Sequence, residues 1–186
     1  MKIYFLRHFK TLIDENIPVE EWGWDDQGKK DMQNLLNSDI FKDVSKIFTS
    51  PQKKARKAAI AIGDKYKIPV LPYLKISEVD RSKSPFIPGD YEKVVESYFK
   101  DENFVYNWEN IRDVKERIND FLELMTKQNG DCLVISHGLF LSLLLHKYFN
   151  KDVMDFWKDL GFGQVLEVDF EKLKTLLGEN LYKRKR

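Results

Sequence analysis

Strand-like segments that alternate with amphipathic segments are the feature that most restricts how this chain can fold. Strands are predicted over residues 3–6, 44–49, 68–74, 132–135 and 164–170. Helices are predicted over residues 28–36, 109–128 and 139–148. A further helix is predicted to open at Ser50-Pro51, where serine suits the N-cap and proline the first helical position. The alternation predicts an α/β fold with three layers, α/β/α, around a mostly parallel central sheet.

The 186 residues contain no internal repeat, low-complexity tract or linker, so a single domain over residues 1–186 is predicted. Prolines at both ends of segment 68–74 predict a strand at the edge of the sheet. The stretch from residue 82 to residue 89 is proline-rich and irregular, and a lid or insert is predicted around residues 80–108. Aromatic residues could line such a lid or simply pack beneath long loops, namely Trp22, Trp24, Phe86 and Tyr91.

Charge and cysteine content exclude several classes of partner and site. With 31 Lys and Arg against 30 Asp and Glu, the net charge of +1 argues against a nucleic-acid partner, and the basic end at residues 183–186 is interpreted as a solvated tail. The single cysteine, Cys132, excludes an internal disulfide and a cysteine-rich metal site.

The chain lacks both a secretory signal pattern and an apolar stretch of the ~20 residues that span a bilayer, so a cytoplasmic location without membrane contact is expected. The oligomeric state stays open.

Two of the three histidines follow directly after predicted strands. The first strand ends at Arg7-His8 and the late apolar strand at Ser136-His137. In open α/β sheets, ligands bind beyond the carboxyl ends of the strands. We therefore expect His8 and His137 to share a site, while the third histidine, His146, is an ordinary residue of the helix that follows.

These residue types suit chemistry at phosphorus. A neutral imidazole can be a nucleophile, an arginine fork suits phosphoryl oxygens, and a helix N-terminus favours anions. Each of these features alone could have no role in catalysis. An Arg-His pair is often at the surface, and His137 could be a core histidine with its hydrogen bonds satisfied. The helix after Ser50-Pro51 also carries an unusual concentration of cations in its first two turns, of which Lys53 and Lys57 are interpreted as solvated: Lys53, Lys54, Arg56 and Lys57.

The combination resembles the histidine phosphatase superfamily, which includes phosphoglycerate mutases and many small phosphomonoesterases. The family's Leu-Arg-His-Gly motif corresponds to Leu6-Arg7-His8-Phe9, and its Ser-His-Gly motif to Ser136-His137-Gly138. The weaker middle motif, Ser-x-x-x-Arg-Ala, corresponds to residues 50–55. The matches keep their order from residue 1 to about residue 170.

The resemblance implies a phosphoglycerate mutase-like fold and a phosphatase for a small phosphorylated metabolite, with no cofactor and no metal ion. It implies that His8 is the nucleophile and becomes a phosphohistidine. Arg7, Lys54 and His137 would bind the phosphoryl group. Glu78 falls where the family carries the acid that protonates the leaving oxygen, although Asp80 lies two positions away.

Two departures from the family pattern leave alternatives open. Phe9 stands in place of the usual glycine, and Lys54 in place of the second arginine, a role that Arg56 or Arg81 could take instead. The alternatives are a non-catalytic module that binds a phosphorylated ligand, and a phosphoryl transferase of the phosphoglycerate mutase type. A metallohydrolase is disfavoured, because the sequence shows no obvious cluster of metal ligands.

Overall fold

The centre of the molecule is a five-stranded sheet in the order β3-β2-β4-β1-β5. In this computed structural model, residues 1–84, 89–100 and 107–181 are described. The strands are β1 (Lys2–Arg7), β2 (Lys46–Thr49), β3 (Val70–Pro72), β4 (Cys132–Ser136) and β5 (Val165–Asp169). Strands β1 to β4 are parallel, and β5 pairs with β1 in the antiparallel direction.

Seven α-helices accompany the sheet in the described residues. They are α1 (Asp26–Leu36), α2 (Lys53–Tyr66), α3 (Tyr91–Lys100), α4 (Ile111–Thr126), α5 (Gly138–Leu145), α6 (Val153–Asp159) and α7 (Phe170–Leu181). Two short 3-10 helices lie at Val19–Glu21 and Leu74–Ile76.

The strands send alternate side chains into two hydrophobic cores, one on each face of the sheet. Ile3 and Phe5 of β1 join a core that contains buried residues of α3 to α7, whereas Leu6 joins a core formed with α1 and α2. β4 does the same, because Val134 enters the first core and Ile135 the second. The predicted three-layer fold with a mostly parallel sheet is therefore confirmed, and β3 lies at the sheet edge as predicted.

The predicted start of the second helix is wrong by two residues, about half a turn. α2 begins at Lys53 with Gln52 at the N-cap position, rather than at Ser50-Pro51. The Ser50 N–H group donates to the carbonyl oxygen of Ile135 on β4, at 3.0 Å, so the chain is still bound to the sheet at that point. Ser50 Oγ accepts a hydrogen bond from the Gln52 N–H group at 3.3 Å. Phe170, predicted as strand, begins α7.

The predicted lid or insert around residues 80–108 contains α3, which the sequence did not predict as a helix. Residues 85–88, including Phe86, and the basic residues 183–186 lie outside the described residues. Among the helices that are described, none is both long and apolar enough to cross a membrane.

Candidate active site

The two histidines meet at the carboxyl ends of the two central strands. Arg7 of β1 pairs in register with Ser136 of β4, so His8 and His137 leave the sheet side by side. The His8 N–H group donates to the Ser136 carbonyl oxygen at 3.0 Å, and the imidazole centroids lie 5.0 Å apart. His8 is 5% exposed and His137 is fully buried. Parallel pairing of β1 and β4 thus brings together two residues far apart in sequence.

The environment of His8 keeps its imidazole neutral and fixes its tautomer. Burial, followed by the positive charge of Lys54, lowers the pKa of His8 well below its usual value. Its Nδ1 atom lies 2.8 Å from the carbonyl oxygen of Phe9. A carbonyl oxygen can only accept, so Nδ1 carries the proton and donates it. The lone pair of the neutral ring therefore lies on Nε2, so this nitrogen is the one that can act as a nucleophile.

His137 is a buried imidazole whose two ring nitrogens have no hydrogen-bond partner among the described residues. It occupies the N-cap position of α5. Burial, and after it the adjacent His8 and Lys54, lowers the pKa of His137. Buried polar atoms in folded proteins are nearly always hydrogen-bonded, and leaving one unpaired is costly. The two nitrogens point to a ligand that brings hydrogen-bonding oxygens.

Arg7 is held by the segment that leads into β5. Its Nη1 atom donates to the carbonyl oxygen of Leu160, and the Phe162 ring centroid lies 3.9 Å from its Cζ atom. Its buried Nε atom has no partner within the described parts of the chain. A Cβ atom on Gly138 would lie 3.1 Å from Arg7 Cζ, tighter than most such contacts, so glycine at this position gives the guanidinium its room. Burial lowers the pKa of Arg7.

Lys54 is the cation of α2 that lies at the site. It is 4% exposed, and its Nζ atom donates to the carbonyl oxygen of Val19 at 3.3 Å. Burial lowers the pKa of Lys54 to about 8, partly opposed by the negative charge of Glu78. The other cations at the start of α2 are exposed, namely Lys53, Arg56 and Lys57.

Glu78 is bound to the first turn of α5, immediately after His137. Its Oε1 atom accepts from the N–H group of Phe140 at 3.0 Å, and its Oε2 atom from that of Leu139 at 3.2 Å. Oε1 also accepts from the N–H group of Val79. The negative charge of Glu78 raises the pKa values of Arg7 and Lys54 against the larger effect of burial, so this carboxylate lies close to both cations. Asp80, the alternative acid, instead accepts from the Ser82 N–H group within its own turn.

The segment before Glu78 is fixed from two sides. Arg117 of α4 donates to the carbonyl oxygens of Lys75 and Ser77, at 2.6 and 3.2 Å. Its other nitrogens form a two-bond ion pair with Glu109, which is largely buried. Ser136 Oγ donates to the carbonyl oxygen of Ile76 at 2.7 Å. These bonds hold the Glu78 segment against the end of β4.

Phe9 directs its bulk away from the histidines. Its ring is 1% exposed and packs in an edge-to-face contact on Trp24, in the core that α1 and α2 cover. The substitution of the family glycine therefore places a ring in this core rather than in the space between His8 and His137.

Sequence reasoning missed one wall of the site, the segment of residues 160–164. Phe162 covers Arg7, lies 5.5 Å from the His8 ring centroid to centroid, and is 43% exposed. The Gly163 N–H group lies within hydrogen-bonding distance of the carbonyl oxygens of Arg7 and His8. An aromatic residue between two glycines is a usable signal for a tight turn, but it does not indicate which residue the ring contacts.

Within the described residues, no group of three or more His, Cys, Asp and Glu side chains is arranged to hold a metal ion. What converges instead is a set of hydrogen-bond donors and positive charges around two neutral imidazoles. Such an arrangement binds a small oxyanion and offers it a nitrogen nucleophile.

Comparisons with known proteins bear on the family and on the fold. The model of the histidine phosphatase superfamily (branch 1) matches residues 3–175. No curated protein matches the sequence significantly.

Solved structures share the fold at low sequence identity. The mycobacterial glucosyl-3-phosphoglycerate phosphatase is 14% identical with a TM-score of 0.68, covering 92% of this chain and 93% of that chain. The Bacillus anthracis phosphoglycerate mutase is 14% identical with a TM-score of 0.66, covering 94% and 96%. The protein YhfR of Bacillus stearothermophilus is 17% identical with a TM-score of 0.68, covering 90% of each chain. At these identities the likeness shows the fold.

Proposed function

The chain belongs to the histidine phosphatase superfamily, and from that premise we propose that it hydrolyses a small phosphomonoester through a phosphohistidine formed on His8. The observation that carries the proposal is the pair of buried imidazoles beside Arg7 and Lys54. His8 presents a neutral Nε2 atom, and both nitrogens of His137 lack a partner among the described residues. A phosphoryl group supplies the charge and the oxygen atoms that this pocket is built to bind.

In the first step, the lone pair of His8 Nε2 attacks phosphorus and the bond from phosphorus to the ester oxygen breaks. Arg7, Lys54 and His137 bind the non-bridging oxygens and stabilise their charge during transfer. Glu78, in its protonated form, gives its proton to the departing oxygen, so that an alcohol leaves. To reach that oxygen, the carboxyl group gives up one of its bonds to α5.

In the second step, a water molecule attacks the phosphohistidine. Glu78 takes the proton from water as the new oxygen–phosphorus bond forms and the Nε2–phosphorus bond breaks. Inorganic phosphate leaves, and His8 returns to the neutral tautomer with Nδ1–H bonded to the Phe9 carbonyl oxygen. These steps use only side chains of this protein and proceed without a metal ion.

The test is the hydrolysis of p-nitrophenyl phosphate and of a panel of phosphorylated metabolites, with and without a chelator. We expect turnover in both conditions, and acid-labile phosphate on the denatured protein after a rapid quench. His8→Ala should lower kcat by at least about 1,000-fold, as expected on loss of a nucleophile. His146→Ala is the matched control. His146 lies outside the pocket, and its Nδ1 atom contacts the carbonyl oxygen of Lys151 instead.

Three results would contradict the proposal. Full activity of His8→Ala would remove His8 as the nucleophile. Thermal stabilisation by phosphate without turnover on any substrate would identify the non-catalytic binding module. Return of the phosphoryl group to a bound acceptor instead of water would identify the phosphoryl transferase.

A further inference from the structure

Arg81 is clamped by two aromatic residues at the border of the 80–108 segment. Its Nη1 atom donates to the hydroxyl oxygen of Tyr91, at the first position of α3. Its Cζ atom lies 5.6 Å from the centroid of the Tyr91 ring and 5.4 Å from that of Trp108. The two rings contact each other, with centroids 6.1 Å apart. This packing fixes a guanidinium group that would otherwise rotate freely on a long side chain.

Position in the chain and electrostatic effects both associate Arg81 with the candidate active site. Arg81 follows Glu78 by three residues, and Glu78 binds the first turn of α5 directly after His137. The positive charge of Arg81 contributes to the lowered pKa values of His8, His137 and Lys54. One guanidinium thus acts on three groups that surround the phosphoryl position.

Arg81 also has hydrogen-bonding capacity left over. Among the residues that the structure describes, Nη1 is its only nitrogen with an acceptor, whereas a guanidinium carries five N–H donors. Lys54 is a point charge and already donates to the Val19 carbonyl oxygen. The family's second arginine would have provided a two-pronged contact to phosphoryl oxygens that a lysine does not reproduce. Arg56, the other arginine near this position in sequence, is exposed on α2.

We propose that Arg81 supplies the second guanidinium of the phosphoryl-binding pocket, held there by Tyr91 and Trp108. The inference rests on the proposed function and deepens it, because it identifies the group that replaces the missing arginine. It also makes binding of the phosphoryl group depend on the 80–108 segment, since both clamping rings belong to that segment.

The experiment measures binding of inorganic phosphate by calorimetry at pH 7 to the wild-type protein and four variants. Arg81→Gln should weaken binding by about 10-fold or more, the effect of a lost charge-assisted bond. Arg81→Lys should bind with intermediate affinity, since it keeps the charge without the fork. Tyr91→Phe keeps the ring but loses the acceptor, and should weaken binding by a smaller factor. Arg56→Gln, the matched control, should bind as the wild type does.

The outcomes separate this inference from the function it rests on. The wild-type protein could bind phosphate and hydrolyse esters while Arg81→Gln and Tyr91→Phe bind phosphate equally well. That result overturns the role of Arg81 but leaves the proposed function standing. Weaker binding in Arg56→Gln than in Arg81→Gln also overturns it. A wild-type protein that neither binds phosphate nor hydrolyses esters overturns both proposals. Tyr91→Phe retains the ring packing, so it tests the clamp even where Arg81→Gln fails to fold.

Discussion

The ring of Phe9 fills the space that a side chain on Gly163 would need. A Cβ atom at Gly163 would lie 2.8 Å from Cδ1 and Cε1 of that ring, and Gly163 has φ of +69°, a conformation that favours glycine. The Gly163 N–H group contacts the carbonyl oxygens of Arg7 and His8, at 3.1 and 3.3 Å. The bulky residue after His8 is therefore accommodated because Gly163, on the opposite segment, has no side chain.

This contact predicts that Gly163→Ala destabilises the protein by about 1–3 kcal/mol, since it combines a positive φ with overpacking. The measurement is the free energy of unfolding from urea titration. Gly23→Ala is the control, because a Cβ atom at Gly23 meets nothing within 4 Å and should change stability little. Equal stability of the two variants would show that the Phe9 ring moves aside without cost.

Lys54 predicts an alkaline limit on catalysis. Its pKa is lowered to about 8 by burial, and only its protonated form attracts a phosphoryl dianion. We expect kcat/KM, which reports groups of the free enzyme, to fall as pH rises through about 8. Lys54→Arg should move that fall to higher pH, because arginine stays charged. An identical alkaline limb in both proteins would assign the limit to another group.

Glu78 predicts a dependence on the leaving group. Glu78→Gln keeps an oxygen atom that can accept from α5, but it cannot give up a proton. We expect kcat for an alkyl phosphate to fall by about 100-fold, the usual scale of general acid catalysis, and kcat for p-nitrophenyl phosphate to fall much less because its leaving group needs little protonation.

Glu78→Ala is the companion variant, since it also removes the acceptor at the start of α5. It should lower the free energy of unfolding by about 1 kcal/mol relative to Glu78→Gln, the scale of a lost helix cap. Equal losses of kcat on both substrates in Glu78→Gln would leave Glu78 with a positioning role only.

The buried histidines predict that stability falls in mild acid. Their folded-state pKa values lie well below that of an unfolded histidine, about 6.5, so the unfolded state binds more protons as pH drops below that value. The contribution of these histidines to the free energy of unfolding is therefore fully present above pH ~6.5. As pH falls below that value, it decreases by up to about 1.4 kcal/mol per pH unit for each histidine. The measurement is urea unfolding between pH 5 and 7.5 in phosphate-free buffer.

His137→Gln removes one of the three histidines whose pKa burial lowers, and should flatten this dependence. Comparison with the wild type isolates the histidine effect, because the carboxyl groups with lowered pKa values, such as Asp26 and Asp80, titrate at lower pH. An unchanged slope in His137→Gln would mean that His137 gains a proton in the folded state as easily as in the unfolded one.

Local sequence patterns predicted the layers and the two histidines, because both depend on short apolar strands and on the residues at their ends. Arg7-His8 and Ser136-His137 each follow such a strand, and parallel pairing then brings them together. The start of α2 was not predictable in this way, because the bond from Ser50 to Ile135 is a tertiary contact.

Contacts between distant segments also explain the other misses. Nothing local to Phe162 signals that its ring covers Arg7, which lies near the other end of the chain. The depth at which Lys54 is buried beside Val19, and with it the lowered pKa, likewise arises only in the folded chain.

The antiparallel direction of β5 has a consequence for biosynthesis. His8 and His137 follow the carboxyl ends of β1 and β4. Within the described sheet, β5 is the strand whose amino end lies at that same edge. The segment that supports Arg7, residues 160–164, is therefore synthesised after the four parallel strands. A nascent chain that stops before residue 160 contains Arg7 and His8 but lacks the carbonyl oxygen of Leu160 and the ring of Phe162. The protein would then become able to bind phosphate only late in synthesis, when the sheet is also completed.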